Sequence, residues 1–119
     1  MNLFRNFFDD HSDSKKCSGI PLITEDQLEQ IILESKEQLV YVFKNSTRCG
    51  FSQIVLRKFD RRISDGKRTY FLLDVIKFRS LSDLIVDKFK VRHESPQLLI
   101  FKNGEIIKHD SHSGVLDLI

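Results

Sequence analysis

The stretch from Leu39 to Val75 constrains the fold more than any other part of the chain. Leu39–Lys44 is a run of β-branched and aromatic residues, Leu-Val-Tyr-Val-Phe-Lys, of the kind a central strand requires. It stops at the polar turn Asn45-Ser46-Thr47-Arg48. Beyond the turn, Phe51, Ile54, Val55, Phe59 and Ile63 recur at helical intervals, which predicts a helix from about Cys49 to Arg62. Ser64-Asp65-Gly66-Lys67 breaks the pattern, and Thr69–Val75 reads as a second buried strand. Two strands joined through a helix pair in parallel, because only a crossover of that length brings the second strand back in the same direction. Cys49 therefore stands at a strand-to-helix corner, at the N-terminus of the helix.

The flanking sequence completes the pattern. Thr24-Glu25-Asp26-Gln27 is a capping box that opens a helix through Leu28, Ile31, Ile32 and Leu33, ending near Glu37. Ser80-Leu81-Ser82-Asp83 caps another through Leu84, Ile85, Val86 and Phe89. Pro96 opens a third strand, Gln97–Phe101, and Asn103-Gly104 turns the chain into an antiparallel return over Glu105–Lys108. Ser113–Ile119 closes as a stub of helix. The order β-α-β-α-β-β-α, with one helix in front, is an α/β fold with a central mixed sheet of about four strands flanked by helices, and it resembles the thioredoxin-type arrangement.

Composition bounds the alternatives. At 119 residues and 40% hydrophobic content the chain supports one core. The domain is expected over 19–119, with 1–18 as a flexible N-terminal leader in which Leu3, Phe4, Phe7 and Phe8 give way to Asp9, Asp10, Asp13, Lys15 and Lys16 before a signal-peptide core can form. The 19 Lys and Arg nearly balance the 17 Asp and Glu, a net charge of +2, which excludes a nucleic-acid binder. No stretch reaches membrane-spanning length, so no membrane contact is expected. A soluble, cytoplasmic monomer with reduced thiols is the expectation. Cys17 and Cys49 are too few for a disulfide scaffold or a structural zinc site, and the spacing of His93, His109 and His112 matches no zinc motif, so no metal is expected. His93 and His109 read as surface positions, whereas His112 follows the last strand in a loop that approaches the cysteine corner.

Cys49 carries the chemistry. A thiol reacts as its thiolate, a minor form near neutrality when unassisted. The unpaired N–H groups of a helix start and the positive end of its dipole favour an anion there. Arg48 adds a fixed positive charge, Ser52 offers a hydroxyl one turn on, and Gly50 leaves room for a second sulfur to approach. The competing reading is a small core hydrophobe, which the polar Thr47-Arg48 before the cysteine opposes. A dithiol oxidoreductase needs a second cysteine two residues further on, and that place is Ser52. Cys49 should therefore form mixed disulfides with another molecule and release them to an incoming thiol. Cys17 is either a distant resolving thiol or inert.

The motifs Ile20-Pro21-Leu22, Phe43-Lys44-Asn45-Ser46-Thr47-Arg48-Cys49 with Ser52, His93-Glu94-Ser95-Pro96-Gln97, Lys102-Asn103-Gly104 and Ser111-His112 resemble those of the monothiol bacilliredoxins. The resemblance spans Ile20 to the C-terminus. It implies a thiol–disulfide oxidoreductase that removes bacillithiol, a co-substrate rather than a bound cofactor, from S-thiolated client proteins. It implies further that Lys44, Thr47, Ser95, Pro96 and His112 contact the thiol ligand. In a thioredoxin-type fold the proline that opens the third strand is commonly cis and faces the helix-start cysteine, the alternative for Pro96 being a trans proline that merely begins the strand. In that family His usually follows the lysine; here Asn45 does. A rival likeness lies in Cys49-Gly50-Phe51-Ser52, which is also found in monothiol glutaredoxins that carry a [2Fe-2S] cluster with a low-molecular-weight thiol. Where those proteins carry a Gly-Gly pair this chain has Ser111-His112, and the Lys-Gly-Thr segment that they place before the cysteine is missing.

Overall fold

A computed structural model of the chain describes residues 17–119. Nine elements follow one another: β1 (Ile20–Pro21), α1 (Glu25–Glu34), β2 (Val40–Asn45), α2 (Gly50–Asp65), β3 (Phe71–Asp74), α3 (Arg79–Phe89), β4 (Gln97–Lys102), β5 (Glu105–Ser111) and a terminal 3-10 helix (His112–Leu118). The strands form one sheet in the order β1-β3-β2-β4-β5. β1, β3 and β2 run parallel, β4 lies antiparallel to β2, and β5 antiparallel to β4. The sheet is thus mixed, with five strands where the sequence suggested about four. The additional one is the two-residue β1, too short to show a period of its own.

Every residue of β2 is buried, as its central place demands. Its side chains alternate between two cores. Val40 and Val42 join Leu28, Ile31 and Ile85 under α1 and α3, whereas Tyr41 and Phe43 join Val55, Phe59 and Val115 under α2 and the terminal helix. Phe43 and Tyr70 both pack on the Phe59 ring, with centroids at 5.1 and 4.8 Å.

Local chemistry accounts for most boundaries. Thr24 and Gln27 form the expected capping box, and α1 ends at Glu34, the following turn reaching Glu37. The hairpin turn needs left-handed backbone at both central residues, and Asn103 and Gly104 supply it with φ of 54° and 80°. Two boundaries differ from the sequence pattern. α2 continues to Asp65, because Ile63 still packs in the core. α3 starts at Arg79 rather than behind a Ser80 cap; its N-cap position is Phe78, and the preceding turn is held by Asp74 Oδ1, which accepts from the Ile76 and Lys77 N–H groups.

Of the segment assigned to a leader, residues 1–16, including Phe4, Phe7 and Phe8, lie outside the described residues. Ser18 donates to Asp60 Oδ1 from both N and Oγ at 2.8 Å. Gly19 fits there because a Cβ would stand 2.6 Å from the Tyr70 ring. No helix among the described residues is long and apolar enough to cross a membrane.

Candidate active site

Cys49 occupies the N-cap position of the 16-residue helix α2, with extended backbone (φ −111°, ψ 116°). Its carbonyl accepts from Gln53 N–H and its own N–H donates to Ser46 O, both at 3.2 Å. The sulfur makes no capping hydrogen bond, so it is left beside the N–H groups of the first helical turn, which have no partner within the helix. The residue is half-buried, and a Cβ on Gly50 would meet nothing within 4 Å among the described residues, so the side from which a second sulfur would arrive is open there. Thr47 and Arg48 are exposed, and Arg48 forms no ion pair among the described residues.

The corner is held by a side-chain network. Ser52 has no exposed surface; its Oγ donates to Asn45 Oδ1 at 2.8 Å and accepts from Ser46 N–H at 3.2 Å. Asn45 Nδ2 donates to Gln53 Oε1 at 2.7 Å. This corrects the expectation that Ser52 offers its hydroxyl to the sulfur. A hydroxyl has one proton, and Asn45 takes it. Asn45, the departure from the family pattern, is thereby the acceptor that ties the end of β2 to the first turn of α2.

Two distant segments close on this corner. The Ser95–Pro96 peptide bond is cis, and Pro96 is buried. His112, with left-handed backbone (φ 56°), donates its N–H to Pro96 O at 2.9 Å. Its ring lies 6.4 Å from that of Phe51 in the first turn of α2, and its Nε2 is 3.8 Å from Glu94 Oε1. His112 thus joins the terminal helix, the cis-proline loop and the cysteine helix. Beside it a polar cleft of about 270 Å³ is lined by Arg92, Glu94, Gln97, His109, Asp110 and Ser111.

Two further expectations change. Lys44 has no exposed surface, so it does not contact a ligand; it lies behind the cis-proline loop with Nζ 3.5 Å from His93 Nδ1. Burial, the largest cause, lowers its pKa from 10.5 to about 8. His93 is accordingly half-buried rather than a plain surface residue: its Nδ1 also lies 3.1 Å from Ser82 Oγ, and burial followed by the Lys44 charge lowers its pKa. His109 is exposed, as expected.

Cys17 is half-buried against Tyr70, and burial, then the Asp60 carboxylate, raises its pKa. Its neighbour Ser18 is fastened to Asp60, eleven positions beyond Cys49 on α2, and the rise of the helix makes that about 16 Å. A disulfide needs Cα atoms within about 7 Å. The resolving role for Cys17 within this arrangement is therefore excluded by distance, and its thiol is the less ionised for its burial.

Sequence reading counted Phe51 and Ile54 only in the repeat that predicts the helix and missed them as site residues. They are 47% and 45% exposed, and with Ile76 at 42% they give the cysteine end of the sheet an apolar rim. The buried positions of α2 are Ser52, Val55, Leu56, Phe59 and Ile63. Taking Ser52 as inward-facing is the one signal that would have set this phase.

Comparison with known proteins agrees with this geometry. The profile of the family described as monothiol bacilliredoxin BrxC matches residues 20–117. A solved structure of a thioredoxin-fold protein assigned as an oxidoreductase is 36% identical, with a TM-score of 0.75, covering 82% of this chain and 85% of that one. Thioredoxins from Nicotiana alata (20% identity, TM-score 0.69, 90% and 91% covered) and Malassezia sympodialis (21%, 0.67, 87% and 86%) share the fold.

Proposed function

Since the chain belongs to the monothiol bacilliredoxin family of thiol–disulfide oxidoreductases, we propose that Cys49 removes bacillithiol, or a similar low-molecular-weight thiol, from S-thiolated proteins in a reducing, cytoplasmic compartment. The observation that carries this reading is a single open thiol at a helix N-cap with a buried, hydrogen-bonded serine where a second thiol would stand.

In the first step the Cys49 thiolate attacks the small-thiol sulfur of the client's mixed disulfide. A Cys49–small-thiol disulfide forms, the client sulfur leaves as a thiolate and takes a proton from water, and no net oxidation occurs. In the second, the thiolate of another low-molecular-weight thiol attacks that disulfide, releasing Cys49 as thiolate and a symmetrical small-molecule disulfide. The helix N-terminus and Arg48 stabilise the anion at both stages, and Gly50 keeps the line of attack open. Thr47, Ser95, Pro96 and His112 surround the docked thiol, with its polar remainder toward the cleft between Glu94 and Ser111. Ser52 serves by fixing the corner with Asn45. The protein works as a monomer on its clients, whose surfaces meet the apolar rim of Phe51 and Ile54.

The test uses reduced full-length protein and a client carrying bacillithiol in mixed disulfide. Intact-mass spectrometry should show the small thiol moving from client to Cys49, and Cys49→Ser should abolish the transfer. Unimpaired removal by Cys49→Ser refutes the reading. A brown dimer from anaerobic purification, with no transfer, would favour the [2Fe-2S] carrier instead.

A further inference from the structure

Lys44 has no part in the exchange steps, and its surroundings are unusual for a lysine. Its side chain has no exposed surface, yet no carboxylate lies within ion-pair distance of it among the described residues. A buried ammonium without a counterion is among the least favourable groups in a protein interior. Strand pairing sets it opposite Leu73 on β3 and Gln97 on β4, neither of them charged. From α3 the charges of Asp83 and Arg79 act on it in opposite senses, and the two pair with each other at 3.4 Å.

What Lys44 meets is the loop between α3 and β4. Nζ stands 3.5 Å from His93 Nδ1, and Ser82 Oγ stands 3.1 Å from the same nitrogen. An ammonium only donates. Nδ1 is then the accepting nitrogen, and the proton of the neutral ring sits on Nε2. The loop has few other anchors: Gln97 Nε2 donates to Arg92 O at 2.9 Å, and Pro96 O accepts from His112 N–H. Among the described residues Gln97 Oε1 is buried with no partner, so Gln97 spends only its donor on the loop and adds no second hold.

We propose that Lys44 is a positioning residue that acts through His93, holding the ring as its neutral Nε2–H tautomer and thereby fixing the loop that presents Ser95 and Pro96 to a thiol docked at Cys49. The consequence for catalysis rests on the exchange reaction proposed above; the tautomer does not, and it is read without any activity. On protonation His93 gains an N–H that faces the Lys44 ammonium. The contact then becomes repulsive, with Asp83 and Glu94 as the opposing negative charges and Arg79 as the reinforcing positive one.

Long-range proton–nitrogen NMR of the full chain, with 15N-labelled histidine, decides the matter. Wild-type His93 should show the Nε2–H tautomer and titrate below free histidine, and Lys44→Met should mix the tautomers and raise its titration midpoint. In exchange assays Lys44→Met should raise KM for the S-thiolated client about fivefold, the worth of one hydrogen bond, while kcat changes little. An Nδ1–H tautomer in the wild type, or a His93 titration unmoved by Lys44→Met, overturns the proposal. A wild type with the expected tautomer but no exchange under any condition instead overturns the reaction and leaves the Lys44–His93 couple standing.

Discussion

Replacing Lys44 with methionine removes a buried charge while keeping an unbranched chain of similar length. Lys44 has no exposed surface, and its pKa falls from 10.5 to about 8, with burial the largest cause, Asp83 opposing it and Arg79 adding to it. The unfolded chain keeps the ordinary lysine value and so binds more protons than the folded one between about pH 8 and 10.5. Wild-type stability should therefore rise with pH across that interval and sit on a lower plateau beneath it. At about 1.4 kcal/mol for each tenfold change in proton affinity, the rise is on the order of 3 kcal/mol. Urea unfolding of both proteins at several pH values from about 7 to 10.5 provides the assay. Subtracting the two curves removes the titration of the other lysines, the tyrosines and the thiols. Lys44→Met should be the more stable near neutrality by about 2 kcal/mol, the removed burial penalty less the lost His93 contact, with the gap closing toward pH 10.5. Two parallel curves would refute the reasoning, because they would mean that Lys44 is solvated or ion-paired in the folded state.

Ser52→Ala strands Asn45 Oδ1 and Ser46 N–H inside the corner, so it should lower unfolding stability by about 1–3 kcal/mol; alkylation of Cys49 by iodoacetamide should stay within about twofold of wild type, since the hydroxyl does not serve the sulfur. Cys17→Ser should leave the exchange rate with an external thiol unchanged, and wild-type protein treated with diamide should show no internal disulfide by intact mass. A loss of two hydrogens within the monomer would mean that the N-terminal segment leaves Asp60 and travels to Cys49.

Much of the molecule was legible because its signals are local. The capping box at Thr24–Gln27 and the Asn103-Gly104 turn depend on neighbours three residues apart or fewer, and both formed as read. The start of α3 was misread because the group satisfying the turn before it, Asp74, belongs to the preceding strand. Ser52 was given the wrong partner for the same kind of reason: the one-turn spacing to Cys49 was visible, but the buried Asn45 that claims its proton comes from the end of β2.

The sequence by itself determined that two strands flank a helix beginning at Cys49 and that no second thiol follows at position 52, since periodicity and spacing along the chain suffice for both. Only the tertiary structure decided which groups share the corner. Phe51, Glu94, Pro96 and His112 meet across more than sixty positions, and such meetings follow from strand order and helix docking, which leave no period in the chain. The same holds for Lys44. Strand parity aims it at one face of the sheet, but α3 and the His93 loop, packed over that face, turned an apparent ligand contact into a buried cation.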